Sequence, residues 1–263
     1  MAEKSTSSWV MQAKSCPLAS VRLFCIPYAG ASAAIFRNWV ERLAPHVEVV
    51  PIHLPGRAKR MVETPFRNME PLVESLAYGL APWLKKPFAF FGHSMGATIS
   101  FELAHKIQDI FGLKPLHLFV SGRAAPQIPC CQEPIACLPE EEFIQKLEAL
   151  GGTPREVLED AELLRLVLMP LRADFELIES YEYIEKNKLE CPITAFGGRA
   201  DRDVTIKDLD AWREQTSSTF RLRLFKGDHF FLRTAETQLL SVMLDQLGRG
   251  EKGKHSIINS SQA

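Results

Sequence analysis

The sequence predicts an α/β fold: a mostly parallel central sheet with helices on both faces and a helical insertion late in the chain. Three observations predict it. Short apolar runs alternate with amphipathic stretches from residue 20 to 121, the βαβ rhythm of a parallel sheet covered on both sides. The rhythm then stops, and residues 139–184 read as consecutive helices without a strand. It resumes over 191–248. With 46% hydrophobic residues in 263, the chain can bury one large core.

Taken in order, residues 1–19 are expected to be a flexible N-terminus. Met1 to Ser8 is polar and lacks the apolar stretch of a secretion signal. Strands are predicted near 21–27, 47–53, 87–92 and 116–121, each an apolar run of strand length. Helices are predicted near 33–44, 67–84 and 94–111. In the last of these, Met95, Ile99, Leu103 and Ile107 recur about one turn apart. Residues 126–137 are rich in Pro and Cys and have little periodicity. Pro139–Leu150, Pro154–Met169 and Leu171–Ile184 read as helices, the last two separated at Pro170. A strand at Cys191–Phe196, a helix-like stretch at Ile206–Arg213 and a strand at Phe220–Phe225 follow. The expected organisation is a core of 20–125 and 187–248, a lid of 126–186 over the C-terminal edge of the sheet, and a disordered tail of 249–263.

The chemistry is concentrated at Gly92-His93-Ser94-Met95-Gly96, a G-x-S-x-G pattern. The pattern alone is cheap, but here it lies between the apolar run Phe88–Phe91 and the helical stretch from Met95. That is the strand-to-helix context of a nucleophile elbow, and with it the α/β-hydrolase fold is expected. The glycines make room two residues either side of a serine held out of the sheet on a strained turn. In such a fold the acid and then the histidine follow the serine.

Four histidines lie downstream: His105, His117, His229 and His255. His105 is inside the helix behind the elbow, His117 reads as a satisfied sheet histidine, and His255 is in the polar tail. His229 follows a late strand and the turn Lys226-Gly227-Asp228, where an imidazole could reach the serine. The acid is expected on Gly197-Gly198-Arg199-Ala200-Asp201-Arg202-Asp203, with the glycines turning the chain sharply. Asp201 is favoured, with Asp203 as the second candidate. Small residues after the first strand, Tyr28-Ala29-Gly30-Ala31-Ser32-Ala33, let a backbone N–H approach a substrate oxygen. The expected oxyanion hole is the N–H of Ala29, with Gly30 as support, together with that of Met95 at a helix start.

On these residues the chain resembles the type II thioesterases, stand-alone α/β-hydrolases that act beside polyketide and nonribosomal peptide synthetases. Their animal relative ends fatty acid synthesis at medium chain length. The resemblance covers roughly residues 20–245. It is carried by Ile26-Pro27-Tyr28-Ala29-Gly30, His53-Leu54-Pro55-Gly56-Arg57, Phe90 to Gly96, Leu171-Arg172-Ala173-Asp174 and Gly227-Asp228-His229-Phe230. The Leu-Pro-Gly-Arg segment is the most discriminating, since general esterases and lipases do not share it. Ala31 departs from the pattern, which usually has a second glycine; alanine is tolerated there at negative φ.

The resemblance implies a serine thioesterase that clears acyl groups from the phosphopantetheine thiol of acyl or peptidyl carrier proteins, an editing role in antibiotic-type biosynthesis. It implies no cofactor. The alternatives are a medium-chain fatty acyl thioesterase, a carboxylesterase or lipase acting on small esters, and a catalytically silent binding module. Most apolar residues of the insertion are expected to pack on the body, with some lining an acyl pocket. Arg57, Lys59 and Arg60, on a loop at the same sheet edge as Ser94, form a candidate docking patch for an acidic carrier protein.

The remaining composition narrows the class. A net charge of −1 gives no reason to expect nucleic acid. No apolar run approaches a membrane span. Cys25 and Cys191 fall in core strands, and Cys130, Cys131 and Cys137 have no histidine at metal-ligand spacing, so no metal is expected. A reducing cytoplasm is the expected compartment.

Overall fold

Six strands form one sheet: β1 (Val21–Ile26), β2 (Val47–Pro51), β3 (Phe88–His93), β4 (Leu118–Ser121), β5 (Ile193–Gly198) and β6 (Phe220–Phe225). Their order is β2-β1-β3-β4-β5-β6, and every neighbouring pair is parallel. The structure is a computed structural model that describes residues 8–10, 16–129 and 133–258.

Alternation along the strands supplies two cores. Phe24, Phe90, Val120 and Ala195 face one side, where α2 (Met69–Leu80) and α3 (Met95–Phe111) contribute Leu72, Leu76, Ile99 and Leu103. Leu23, Cys25, Phe91, Phe119 and Phe196 face the other, against Trp39 of α1 (Arg37–Arg42) and Leu239 and Met243 of α9 (Glu236–Ile258). A strand buried on both faces reads as a continuous apolar run, which is why these strands were legible.

Between β4 and β5 lie α4 (Glu140–Leu150), α5 (Arg155–Glu159) and α6 (Ala161–Glu179). The sequence reading placed a break at Pro170, but Pro170 lies inside α6. The break falls instead at Asp160, whose carboxylate accepts from the N–H groups of Glu162 and Leu163 and caps the new helix. Beyond the proline, burial of Leu171, Ala173 and Leu177 holds the helix together. These helices have a small core of their own, Phe143, Leu147 and Leu171, rather than packing wholly on the body. Leu163, Leu166 and Met169 stay 43–50% exposed.

Two terminal expectations change. Within the segment expected to be flexible, Trp9 is buried against Phe66, its carbonyl accepts from His53 N–H at 2.8 Å, and Val10 bridges Ile52. One large aromatic side chain is enough to pin residues 8–10; the rest of the expected flexible segment up to residue 15 lies outside the described residues. At the other end, α9 runs through Ile258, past the residue 249 at which disorder was expected; residues 259–263 lie outside the described residues. Propagating a helix already nucleated by packing requires no new burial. After β5, the helix-like stretch is α7 (Ile206–Asp210) followed by a 3-10 turn at Ala211–Gln215, and the short α8 (Phe231–Thr234) lies between β6 and α9.

His117 sits one residue before β4, buried, with Nε2 paired to Thr194 Oγ1 at 2.8 Å and its ring stacked on Phe119. Burial, helped by the Arg221 charge, pushes its pKa down to about 3. The unfolded chain takes up this proton near pH ~6.5, the native chain only near 3. The stability it contributes is therefore complete above pH ~6.5 and is lost as pH falls toward about 3. Buried His53, His93 and His105 are also depressed and add to the same slope. Denaturant unfolding at pH 7, 5.5 and 4 (chosen as roughly spanning this window) should give a falling free energy, with a shallower fall for His117→Gln. Equal slopes in the two proteins would contradict this assignment.

Candidate active site

The C-terminal ends of β1, β3, β4, β5 and β6 converge on one edge of the sheet, the edge where open α/β sheets bind ligands. Ser94 stands there between β3 and α3 with φ 53° and ψ −119°. A Cβ on Gly92 would lie 2.0 Å from the Gly96 carbonyl oxygen, and one on Gly96 would lie 2.3 Å from that of Ile26. Both glycines are therefore demanded by backbone approaching backbone. The Ser94 N–H is tied to the Ser121 carbonyl of β4 at 2.7 Å, so the strained turn is held from the adjoining strand.

Asp201 and His229 are brought together by the ends of β5 and β6. His229 Nδ1 lies 2.9 Å from Asp201 Oδ2, and Asp201 Oδ1 accepts from the N–H groups of Asp203 at 2.9 Å and Val204 at 3.2 Å. The Asp201 side chain is 1% exposed. Burial pushes its carboxyl up, but the His229 ring and the two N–H groups outweigh burial and leave it below the usual carboxylate range. Asp203, the second candidate, is exposed and gives its own N–H to Asp201. The reason for the two glycines also changes. Gly197 and Gly198 are the last residues of β5 rather than a sharp turn. A Cβ on Gly198 would lie 2.1 Å from the Asp228 carbonyl oxygen, so this glycine lets the loop carrying His229 lie against the loop carrying Asp201. Ala200 N–H to Gly227 O at 2.9 Å joins them.

The imidazole is placed beside the elbow by His93, which the sequence reading passed over. His93 is buried, pairs through Nδ1 with Ser121 Oγ at 2.9 Å, and has its ring centroid 5.1 Å from that of His229. Its only sequence signal was an apolar strand running into it. Among the described residues, no hydrogen bond closes between Ser94 and His229.

In the turn after β1, Gly30 N–H is taken by Asp174 Oδ2 at 2.7 Å and Ala31 N–H by Tyr28 O at 3.0 Å. Ala29 follows β1 in this turn, and Met95 is the first residue of α3. Ala31 is not in the left-handed region, which among the described non-glycine residues holds Ala58 and Ser94.

Arg57 and Arg60 do not form the surface patch expected of them. Arg57 is 7% exposed and makes a two-pronged ion pair with Asp174 of α6, at 2.6 and 2.7 Å. Arg60 is 7% exposed, bonded to Glu63 and His53 O, with its guanidinium 4.1 Å above the Trp9 ring. Lys59 alone of the three stays exposed. Removing one partner of a buried pair such as Arg57–Asp174 costs about 3–5 kcal/mol.

The His229 ring and the carboxylates of Asp201 and Asp203 offer three potential metal-ligand atoms within 4.8 Å of one another, and the Asp201–His229 bond accounts for the closeness of two of them. Cys137 is a free, exposed thiol; Cys130 and Cys131 lie outside the described residues. Among the described residues no helix is long and apolar enough to cross a membrane.

The Thioesterase domain family matches residues 21–247. The chain belongs to the thioesterase family. It is 48% identical over 241 residues to the gramicidin S biosynthesis protein GrsT of Aneurinibacillus migulanus, covering 92% of this chain and 94% of that one. It is 43% identical to a Brevibacillus parabrevis protein named linear gramicidin dehydrogenase LgrE, covering 91% and 92%. Among solved structures, the type II thioesterase BorB from the borrelidin biosynthetic cluster superposes with a TM-score of 0.84 at 35% identity, covering 91% of this chain and 97% of BorB. As a thioesterase, this protein is a hydrolase of thioesters, and the type II resemblance read from its sequence holds over nearly its whole length.

Proposed function

We propose that this thioesterase is a serine enzyme that clears acyl groups from the phosphopantetheine thiol of acyl or peptidyl carrier proteins, an editing role in polyketide or nonribosomal peptide synthesis. The observation that carries the chemistry is the buried Asp201 bonded to His229 beside a serine held at φ 53°. Asp201 on Nδ1 leaves Nε2 as the ring nitrogen for the nucleophile. His229 accepts the Ser94 proton as the oxygen attacks the acyl carbonyl, and Asp201 stabilises the imidazolium that forms. The N–H groups of Ala29 and Met95 receive the oxyanion. Collapse expels the thiol, which takes the proton from His229. Water then attacks the acyl-serine with His229 again as base, releasing the acid and restoring Ser94.

The carrier-bound substrate is supported by the whole-length likeness to GrsT, named for gramicidin S biosynthesis, and to the type II enzyme BorB. The name of LgrE suggests dinucleotide chemistry, but here β1 is followed by Pro27-Tyr28-Ala29-Gly30-Ala31-Ser32 and no G-x-G-x-x-G fingerprint. Mass spectrometry of carrier proteins loaded with acyl groups of varied length tests the reading: the acyl mass should disappear with the enzyme and persist without it. Turnover of p-nitrophenyl esters far above that of carrier thioesters would favour a general esterase instead.

A further inference from the structure

Gly30 is gripped by the inserted helices at two points. Asp174 Oδ2 accepts its N–H at 2.7 Å, and a Cβ built on it would lie 2.3 Å from Leu171 Cδ2, so α6 lies directly against the turn. With φ +75°, Gly30 also holds a backbone conformation that other residues rarely adopt. Arg57 grips the same turn from the loop after β2. Its Nη1 donates to Asp174 Oδ2 at 2.6 Å and reaches the Ala31 carbonyl at 3.4 Å, and its Nε reaches Pro55 O at 3.3 Å. Ala31 N–H in turn holds the Tyr28 carbonyl at 3.0 Å. That carbonyl shares its planar trans peptide with the Ala29 N–H, which must therefore point the opposite way. The peptide groups around Ala29 are fixed by one buried carboxylate and one buried guanidinium.

We propose that Asp174, carried on α6 and paired with Arg57, positions the oxyanion-binding turn: its side-chain oxygen holds Gly30 and thereby aims the Ala29 N–H, so the sheet edge is competent only when the insertion is docked. This rests on the functional reading above. In this proposal Asp174 is the positioning residue, acting through Gly30, and Arg57 balances its buried charge. The inference predicts a loss in kcat rather than KM, because a misaimed donor is felt where negative charge develops.

Two double variants separate the acceptor from the charge. Replacing a buried ion pair by uncharged side chains of similar volume commonly leaves a fold intact. Arg57→Met with Asp174→Leu removes the acceptor for Gly30; Arg57→Met with Asp174→Asn keeps one oxygen for it. On acyl-pantetheine, the leucine variant should lose about 100-fold in kcat, with KM within about threefold. A trifluoromethyl ketone analogue, which binds as an oxyanion, should weaken by a similar factor. The asparagine variant should stay within about tenfold of wild type on both measures. A folded leucine variant with near wild-type kcat overturns the proposal, and so does a folded asparagine variant as impaired as the leucine one. If the leucine variant does not fold, the asparagine variant decides alone: kcat retained supports the proposal, and a hundredfold loss overturns it. Absence of any wild-type turnover would overturn the functional reading and this inference with it. Wild-type turnover with an active leucine variant would overturn the inference only.

Discussion

Ser94→Ala is expected to abolish thioester hydrolysis while leaving the fold intact. Removing the nucleophile of a serine protease costs about 10⁶ in kcat, and a loss of that order is expected here. The fold should survive because the substitution removes one half-buried oxygen, and the elbow is set by backbone contacts. These are Ser94 N–H on Ser121 O and the close approaches at Gly92 and Gly96. Steady-state hydrolysis of an acyl-carrier thioester, paired with a melting curve, checks both halves. Residual kcat/KM within tenfold of wild type in a folded protein would mean that another group attacks.

Asp201→Asn should cost about 10⁴ in kcat, the loss seen when the equivalent aspartate of a serine protease becomes asparagine. The local bonds say why. Oδ1 accepts two backbone N–H groups, from Asp203 and Val204, so only the amide oxygen fits on that side. The NH₂ group must then face His229 Nδ1, which turns that nitrogen into an acceptor and leaves the proton on Nε2, where a base is needed. Asp203→Asn should cost less than about tenfold, because Asp203 meets Asp201 through its N–H, which the substitution keeps. Measuring kcat for both variants on one substrate is decisive: if the larger loss belongs to Asp203, the carboxylate has been misassigned.

Much of the sheet was legible because its strands are buried on both faces and read as apolar runs, Phe88–Phe91 above all. Helix limits were legible where periodicity was long, as in α3, and misplaced where a proline drew attention away from a capping aspartate at 160. The sequence favoured Asp201 but kept Asp203 open. Only Arg202 separates them, and which carboxylate meets the ring depends on how the Gly198 backbone seats the His229 loop. The reading of Arg57 and Arg60 as a surface patch failed for a related reason. A charged residue in a loop is usually solvated, and nothing local to Arg57 reveals a carboxylate on a helix 117 positions away.

The sequence by itself determined what depends on neighbours along the chain: the alternation of strands and helices, the glycine spacing around Ser94, and the order serine, acid, histidine. Tertiary structure decided what depends on meetings between distant segments. It put Asp201 on His229, the His93 ring beside it, Trp9 on the core, and the Asp174 carboxylate between Arg57 and Gly30. Backbone preference and hydrophobic period act over a few residues and are written locally. The pairing of buried charges and the aiming of a backbone N–H follow from which surfaces exclude water together, and that is fixed only when the whole sheet and its insertion have packed.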